Sequence, residues 1–149
     1  MHHTPESFTP QSFTPDSLSG RAAIVLAAGG TGGHIFPAVA LAEALYRAGY
    51  APHLITDARF HEYRTKTHDS ILATLPIHTV RAGSPSGGVI PAIKGLVKLA
   101  CGTVEAWRHL RALRPWVVVG FGGYPSFPTL FAARLCRIPI IVHEQNAVL

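Results

Sequence analysis

Acid is what this 149-residue chain has least of: eight Asp and Glu stand against 13 Lys and Arg, for a formal net charge of +5. From residue 70 to residue 143 the only carboxylate is Glu105, set among Arg81, Lys94, Lys98, Arg108 and Arg111. So one-sided a balance points to an acidic partner, whether phosphate, nucleic acid or anionic lipid. Cysteine is almost absent as well. Cys101 and Cys136 lie far apart in apolar surroundings with no CxxC spacing; this excludes a disulfide framework and reads as two small core residues in a reducing compartment. Nine histidines do not add up to a metal set, because His143 and Glu144 open an HExxH pattern in which Ala147 replaces the second His. Neither a metal site nor a cofactor is expected. No apolar run is long enough to cross a bilayer, and the N-terminus lacks a signal peptide's apolar core, so a cytoplasmic location is expected. With 14% of residues charged and 48% hydrophobic, the chain suits one α/β domain around a buried sheet.

Residues 1–20 hold an imperfect five-residue repeat, ESFTP, QSFTP, DSLSG. Pro at that spacing blocks helix and sheet alike, and a disordered tail is expected, with the folded domain spanning residues 21–149. What the chain has in plenty is glycine, 14 in all, and four of these fall in the stretch GGTGGHIFPA at residues 29–38. An apolar run at 22–26 before it reads as a buried strand, and good helix formers at 38–45 read as a helix. Glycines at such a junction let the backbone turn tightly and approach a ligand, while the helix N-terminus favours negative charge. Phosphate is the usual occupant. The stretch fits neither common phosphate loop: His34 and Ile35 stand where a P-loop has Lys and Ser or Thr, and Ile35 occupies the place of the third dinucleotide-binding Gly.

Strand and helix alternate from there. Gly49 caps the first helix, and residues 52–56 form a second strand with Asp57 at its end, where a dinucleotide enzyme keeps its ribose-binding acid; without the full glycine fingerprint a helix N-cap is the favoured reading. A short polar helix or loop follows at 60–69, a third strand at 77–80 and a flexible loop at 82–88. Residues 89–113 are the longest helical pattern, with Ile90, Ile93, Val97, Val104 and Trp107 on one side and Lys94, Lys98, Arg108 and Arg111 flanking them. Two readings stand: an ordinary helix covering the sheet, or a first half that rests on an anionic membrane surface. A fully apolar strand at 116–120 leads into a second glycine loop, GFGGYPS at 120–126, and a helix at 129–135. A fifth strand at 138–142 carries His143, Glu144, Gln145 and Asn146 at its end.

The three informative stretches each follow a strand, and in an open parallel sheet such ends meet at the ligand crevice. Two glycine loops at one crevice suit a ligand with a diphosphate or two anionic parts. An imidazole at the position of His34 suits a general base near neutral pH. Glu144 has three readings: orienting His34, binding a sugar hydroxyl, or acting as base itself. Gln145 and Asn146 offer amides for neutral hydroxyls, and Tyr124 and Ser126 are placed to contact phosphate or sugar.

GGTGGHIFPA, GFGGYPS and HEQNA at residues 143–147, in this order, closely resemble the N-terminal half of the MurG family of bacterial glycosyltransferases. That family moves N-acetylglucosamine from UDP-N-acetylglucosamine to lipid I, undecaprenyl-diphospho-muramoyl-pentapeptide, giving lipid II of peptidoglycan. The resemblance covers residues 21–149. It implies a Rossmann-like parallel sheet with helices on both faces, the N-terminal half of a GT-B fold, and an inverting, metal-independent transfer. By the same resemblance His34 and Glu144 are the catalytic candidates. Thr31, Gly32, Gly33 and Asn146 face the donor; Gly30, Gly122, Gly123, Tyr124, Ser126 and Gln145 face the acceptor. Val89, Ile90, Ile93, Lys94, Val97 and Lys98 match a surface that meets the cytoplasmic leaflet, which implies a peripheral place on the inner membrane and no nucleic-acid partner. The family runs to about twice this length, so the donor-binding second domain is expected to be absent here and the chain alone to be inactive. The alternatives are a non-catalytic module binding membrane or lipid diphosphate, and a nucleotide-binding oxidoreductase domain, which Ile35 disfavours.

Overall fold

The computed structural model describes residues 18–29, 32–60, 74–83 and 89–143, with residues 89–91 described by their backbone alone. Among these residues, strands β1 (Ala23–Ala27), β2 (Ala51–Thr56), β3 (Ile77–Thr79), β4 (Val117–Gly120) and β5 (Ile140–Val142) interleave with helices α1 (Gly32–Arg47), α2 (Val89–Leu113) and α3 (Ser126–Leu135). The strands form one sheet in the order β3-β2-β1-β4-β5, every neighbouring pair parallel. The order reverses direction between β1 and β4, where a crevice opens beyond the strand ends.

The two strands at the centre, β1 and β4, carry no polar side chain because both faces of the sheet are covered there. Alternate residues of β1 go to opposite sides. Ile24 and Leu26 pack under α1 with Ile35, Ala38, Val39 and Tyr46, whereas Val25 and Ala27 pack with Ala106 and Leu110 of α2 and Ala132 and Ala133 of α3. Leu26 sits in register with Leu54 of β2 and Val119 of β4, so the middle of the sheet is dry; burying each such leucine contributes about 2 kcal/mol.

The elements differ from the sequence reading at instructive points. Helix α1 begins at Gly32, not at Ala38, and contains Pro37. Proline's ring already holds a helical φ, and its missing amide removes only the bond that would reach the carbonyl of Gly33 in the first turn. At the other end Gly49 has φ +88°, and the Tyr50 amide donates to the carbonyl of Leu45 at 3.0 Å, as a glycine C-cap requires. Leu18 packs against the α1-side core. Arg21 lies over the Tyr46 ring at 4.7 Å and donates to the Tyr46 carbonyl. The folded part therefore starts ahead of residue 21; the rest of the expected tail lies outside the described residues, as do residues 61–69 and 84–88. Cys101 and Cys136 are free and half-buried, not core residues.

Helix α2 has the expected bounds but an unexpected inner face. Gly95, Gly102, Ala106 and Leu110 are buried, while Ile93, Leu96, Val97 and Val104 are exposed, Leu96 at 63%. Small residues face inward because the segment after β3 runs directly across the helix. A Cβ on Gly102 would stand 1.9 Å from the Arg81 carbonyl oxygen, and one on Gly83 would stand 3.1 Å from the Gly95 carbonyl oxygen.

Candidate active site

The two glycine loops are stitched together by their backbones. The Phe121 amide donates to the Ala27 carbonyl at 2.8 Å, and the Gly29 amide donates to the Gly122 carbonyl at 3.1 Å. Gly122 and Gly123 have φ of +86° and +81°, a region other residues enter at a cost of about 1–2 kcal/mol. Space forbids a side chain as well: a Cβ on Gly123 would lie 3.1 Å from the Gly29 Cα, and one on Gly122 would lie 3.2 Å from Cδ2 and Nε2 of His34. The His34 imidazole, projected from the first turn of α1, thus rests on the second loop. Around it are the α1 N-terminus and the half-buried Gly122 and Gly123, and a helix N-terminus is a setting for an anion.

The structure brings together Gly32, Gly33, His34, Gly122, Gly123, Tyr124 and Ser126 among the residues singled out from sequence. Tyr124 is exposed at the rim. Ser126 differs from the expectation of ligand contact: it is buried, and its Oγ donates to the Gly123 carbonyl at 2.8 Å, so its hydroxyl holds the loop in shape. His143 marks the arrival of the third stretch, its amide donating to the Gly120 carbonyl at 2.8 Å and its ring lying 5.4 Å from that of Phe121. Gly30, Thr31, Glu144, Gln145 and Asn146 lie outside the described residues. On α2, Ile93, Lys94, Val97 and Lys98 are exposed; the side chains of Val89 and Ile90 lie outside the described set. No described helix is long and apolar enough to cross a membrane.

Two clusters went unnoticed in the sequence. A cavity of about 660 Å³ opens beyond β2 and β3, lined by Asp57, Arg59, Arg81, Lys98, Glu105 and Tyr124 among others. Asp57 does not cap a helix with its side chain; Oδ2 takes an ion pair from Arg59 Nε at 2.6 Å, and its buried Oδ1 finds no hydrogen-bond partner among the described residues. Glu105 Oε2 accepts from the Arg81 amide at 2.8 Å, while Oε1 lies 3.3 Å from Arg81 Nε. The isolation of Glu105 among cations was the available signal. The second cluster joins His53 of β2, His78 of β3 and His109 of α2. His53 Nδ1 lies 3.3 Å from His78 Nε2, and the His78 and His109 rings are 4.7 Å apart. Burial, then the neighbouring His109 and His53, push His78 down to about 4, and burial lowers His53 too. Among the described residues no group of His, Cys, Asp or Glu is placed to hold a metal ion.

Comparison with known proteins gives this arrangement a lineage. The glycosyltransferase family 28 N-terminal domain matches residues 24–149. The UDP-N-acetylglucosamine--N-acetylmuramyl-(pentapeptide) pyrophosphoryl-undecaprenol N-acetylglucosamine transferase of Rhodospirillum rubrum is 52% identical over 126 residues, 84% of this chain and 31% of that protein. The enzyme of the same name from Rhodospirillum centenum is 47% identical over 128 residues, 86% of this chain and 32% of its own length. The chain thus spans about a third of the length of these relatives. Among solved structures, Acinetobacter baumannii MurG superposes with a TM-score of 0.68 at 34% identity, covering 85% of this chain and 36% of that one. The calicheamicin glycosyltransferase CalG4, at 15% identity and a TM-score of 0.59 over 87% of this chain and 34% of its own, shares the fold alone. The family match displaces the oxidoreductase alternative. The chain belongs to glycosyltransferase family 28, as an N-terminal domain of the MurG type.

Proposed function

We propose that this domain is the acceptor side of an inverting N-acetylglucosaminyltransferase acting on UDP-N-acetylglucosamine and undecaprenyl-diphospho-muramoyl-pentapeptide. The observation that carries the reading is the direct seating of the His34 ring on Gly122, which joins both glycine loops and an imidazole into one surface. The loop amides and the α1 N-terminus would take the acceptor diphosphate, with Gly30, Gly122, Gly123, Tyr124 and Gln145 around it. His34 would remove the proton from the acceptor sugar hydroxyl as that oxygen attacks the anomeric carbon of the donor. The bond to UDP breaks, UDP leaves with the electron pair, and the configuration inverts. Thr31, Gly32, Gly33 and Asn146 would meet the donor, and Glu144 is the second catalytic candidate. Most donor contacts would come from a further domain outside the residues matched to the family N-terminal domain.

A peripheral site of action on the cytoplasmic membrane face is supported by the exposed stripe of Ile93, Leu96, Val97 and Val104 beside Lys94 and Lys98. Apolar side chains flanked by lysines suit an anionic leaflet. The same stripe is what favours the second reading, a lipid-binding module without chemistry.

The deciding experiment is turnover of UDP-N-acetylglucosamine with a soluble lipid I analogue, by this chain alone and mixed with the separately expressed C-terminal domain of the Rhodospirillum rubrum relative. Activity only in the mixture, lowered by about 10²–10⁴-fold by His34→Ala, is expected; Glu144→Gln run alongside separates the two candidates. An inactive mixture of folded partners that still binds anionic vesicles supports the second reading instead.

A further inference from the structure

The cavity beyond β2 and β3 has the wrong chemistry for the diphosphate and a fitting one for a peptide. Its charge is mixed. Arg59, Arg81 and Lys98 come from three separate segments, and Asp57 and Glu105 each pair with one of the arginines. Two carboxylates at the wall oppose a doubly charged diphosphate, whose proposed seat is the α1 N-terminus and the glycine loops. Both ion pairs engage the arginines through Nε, so the terminal amino groups of each guanidinium remain suited to a bidentate carboxylate. Lys98 forms no ion pair among the described residues and supplies a third cation.

Size and position agree. A volume of about 660 Å³ falls within the range that holds a ligand of several hundred daltons, well beyond a single phosphate group. Tyr124 belongs both to the cavity wall and to the second glycine loop, so the cavity continues from the place proposed for the acceptor sugar. The backbone is fixed for the purpose: Gly102 lets Arg81 lie against α2, and Glu105 grips Arg81 by both amide and side chain.

We infer that this cavity receives the peptide arm of the acceptor, with Arg59, Arg81 and Lys98 binding its carboxylates. The inference rests on the acceptor-side reading above and adds to it the recognition of a part of the substrate remote from the reacting hydroxyl.

The test measures binding of two probes to this chain by calorimetry: a short-chain prenyl-diphospho-N-acetylmuramic acid, and the same molecule bearing the pentapeptide. The peptide is expected to tighten binding by about tenfold or more, an increment that Arg81→Gln and Lys98→Gln each reduce and that rising salt erodes. Lys98 is a surface residue whose replacement leaves the fold intact, and circular dichroism checks Arg81→Gln. Equal binding of both probes overturns the peptide subsite while leaving the acceptor-side reading in place. An increment that neither variant changes overturns the assignment of the cavity. Failure of both probes to bind overturns the acceptor-side reading and this inference with it.

Discussion

In the crevice above β1 and β4 the groups that shape the site are mostly backbone, and glycine is the device that lets them approach. In the cavity beside β2 and β3 they are side chains, and paired carboxylates are the device that holds them. The first region tolerates almost no added atom: its contacts would be pressed to 3.1 and 3.2 Å by a single methyl group. The second is shaped by the reach of long side chains and accommodates exchange of one charged group for another. A backbone site leaves a compact motif in the sequence; a side-chain site gathers residues 57, 59, 81, 98 and 105 from distant segments and leaves none.

Substitutions sharpen that contrast, beginning with the close approach of α2 to the β3 exit. Gly102→Ala places a Cβ 1.9 Å from the Arg81 carbonyl oxygen, a clash with backbone that only separation of α2 from the β3 exit can relieve. A loss of about 3 kcal/mol is expected, read as a lowered denaturant midpoint, with the cavity disturbed and the crevice less so. Gly123→Ala is milder, about 1–2 kcal/mol from its left-handed backbone, and acts on the crevice: binding of the peptide-free prenyl-diphospho probe should fall while the Arg81 pair stays intact. A variant that keeps full probe affinity would show that the loop does not need its present shape. Replacing Leu96 and Val97 by Glu should abolish sedimentation with anionic vesicles and leave the melting temperature within about 1 °C, since exposed positions change stability little.

Near neutral pH the smallest effect is expected from the histidine cluster that ties the cavity's two strands to α2. His78 is held down to about 4 in the fold against an ordinary value of 6.5. Between those values the unfolded chain takes up a proton that the folded chain refuses, so stability is full above pH 6.5 and declines as pH falls toward 4. His78→Gln should flatten the dependence of melting temperature on pH in that window; an unchanged profile would assign the acid sensitivity elsewhere.

How much of this was legible follows from the same contrast. Apolar runs marked β1 and β4, because strands buried on both faces need no alternation, while β2, β3 and β5 showed as short extended segments between helical stretches. GGTGGHIFPA and GFGGYPS marked the crevice because only glycine satisfies the close approach of Gly29 to Gly123. The inner face of α2 was hidden. Its apolar periodicity picks out Ile93, Val97 and Val104, the exposed side, while the buried side is written in glycine and alanine, which carry little hydrophobic signal. The start of α1 was hidden in the same local way: good helix formers begin at Ala38, while the stretch before it holds Gly32, Gly33 and Pro37, residues of low helical propensity. The pairing of Arg81 with Glu105 and the meeting of His53, His78 and His109 depend on which elements lie side by side, and spacing along the chain does not encode that.

The parallel sheet also decides how the domain can be handled. β1 enters at Ala23 and leaves into Gly29 at the opposite end, about 17 Å away along a five-residue strand. A tether, fluorophore or affinity handle joined ahead of Leu18 therefore pulls from the side turned away from His34. Anchored to a sensor surface by that end, the domain would present crevice and cavity outward together, in one orientation, to any soluble partner passed over it.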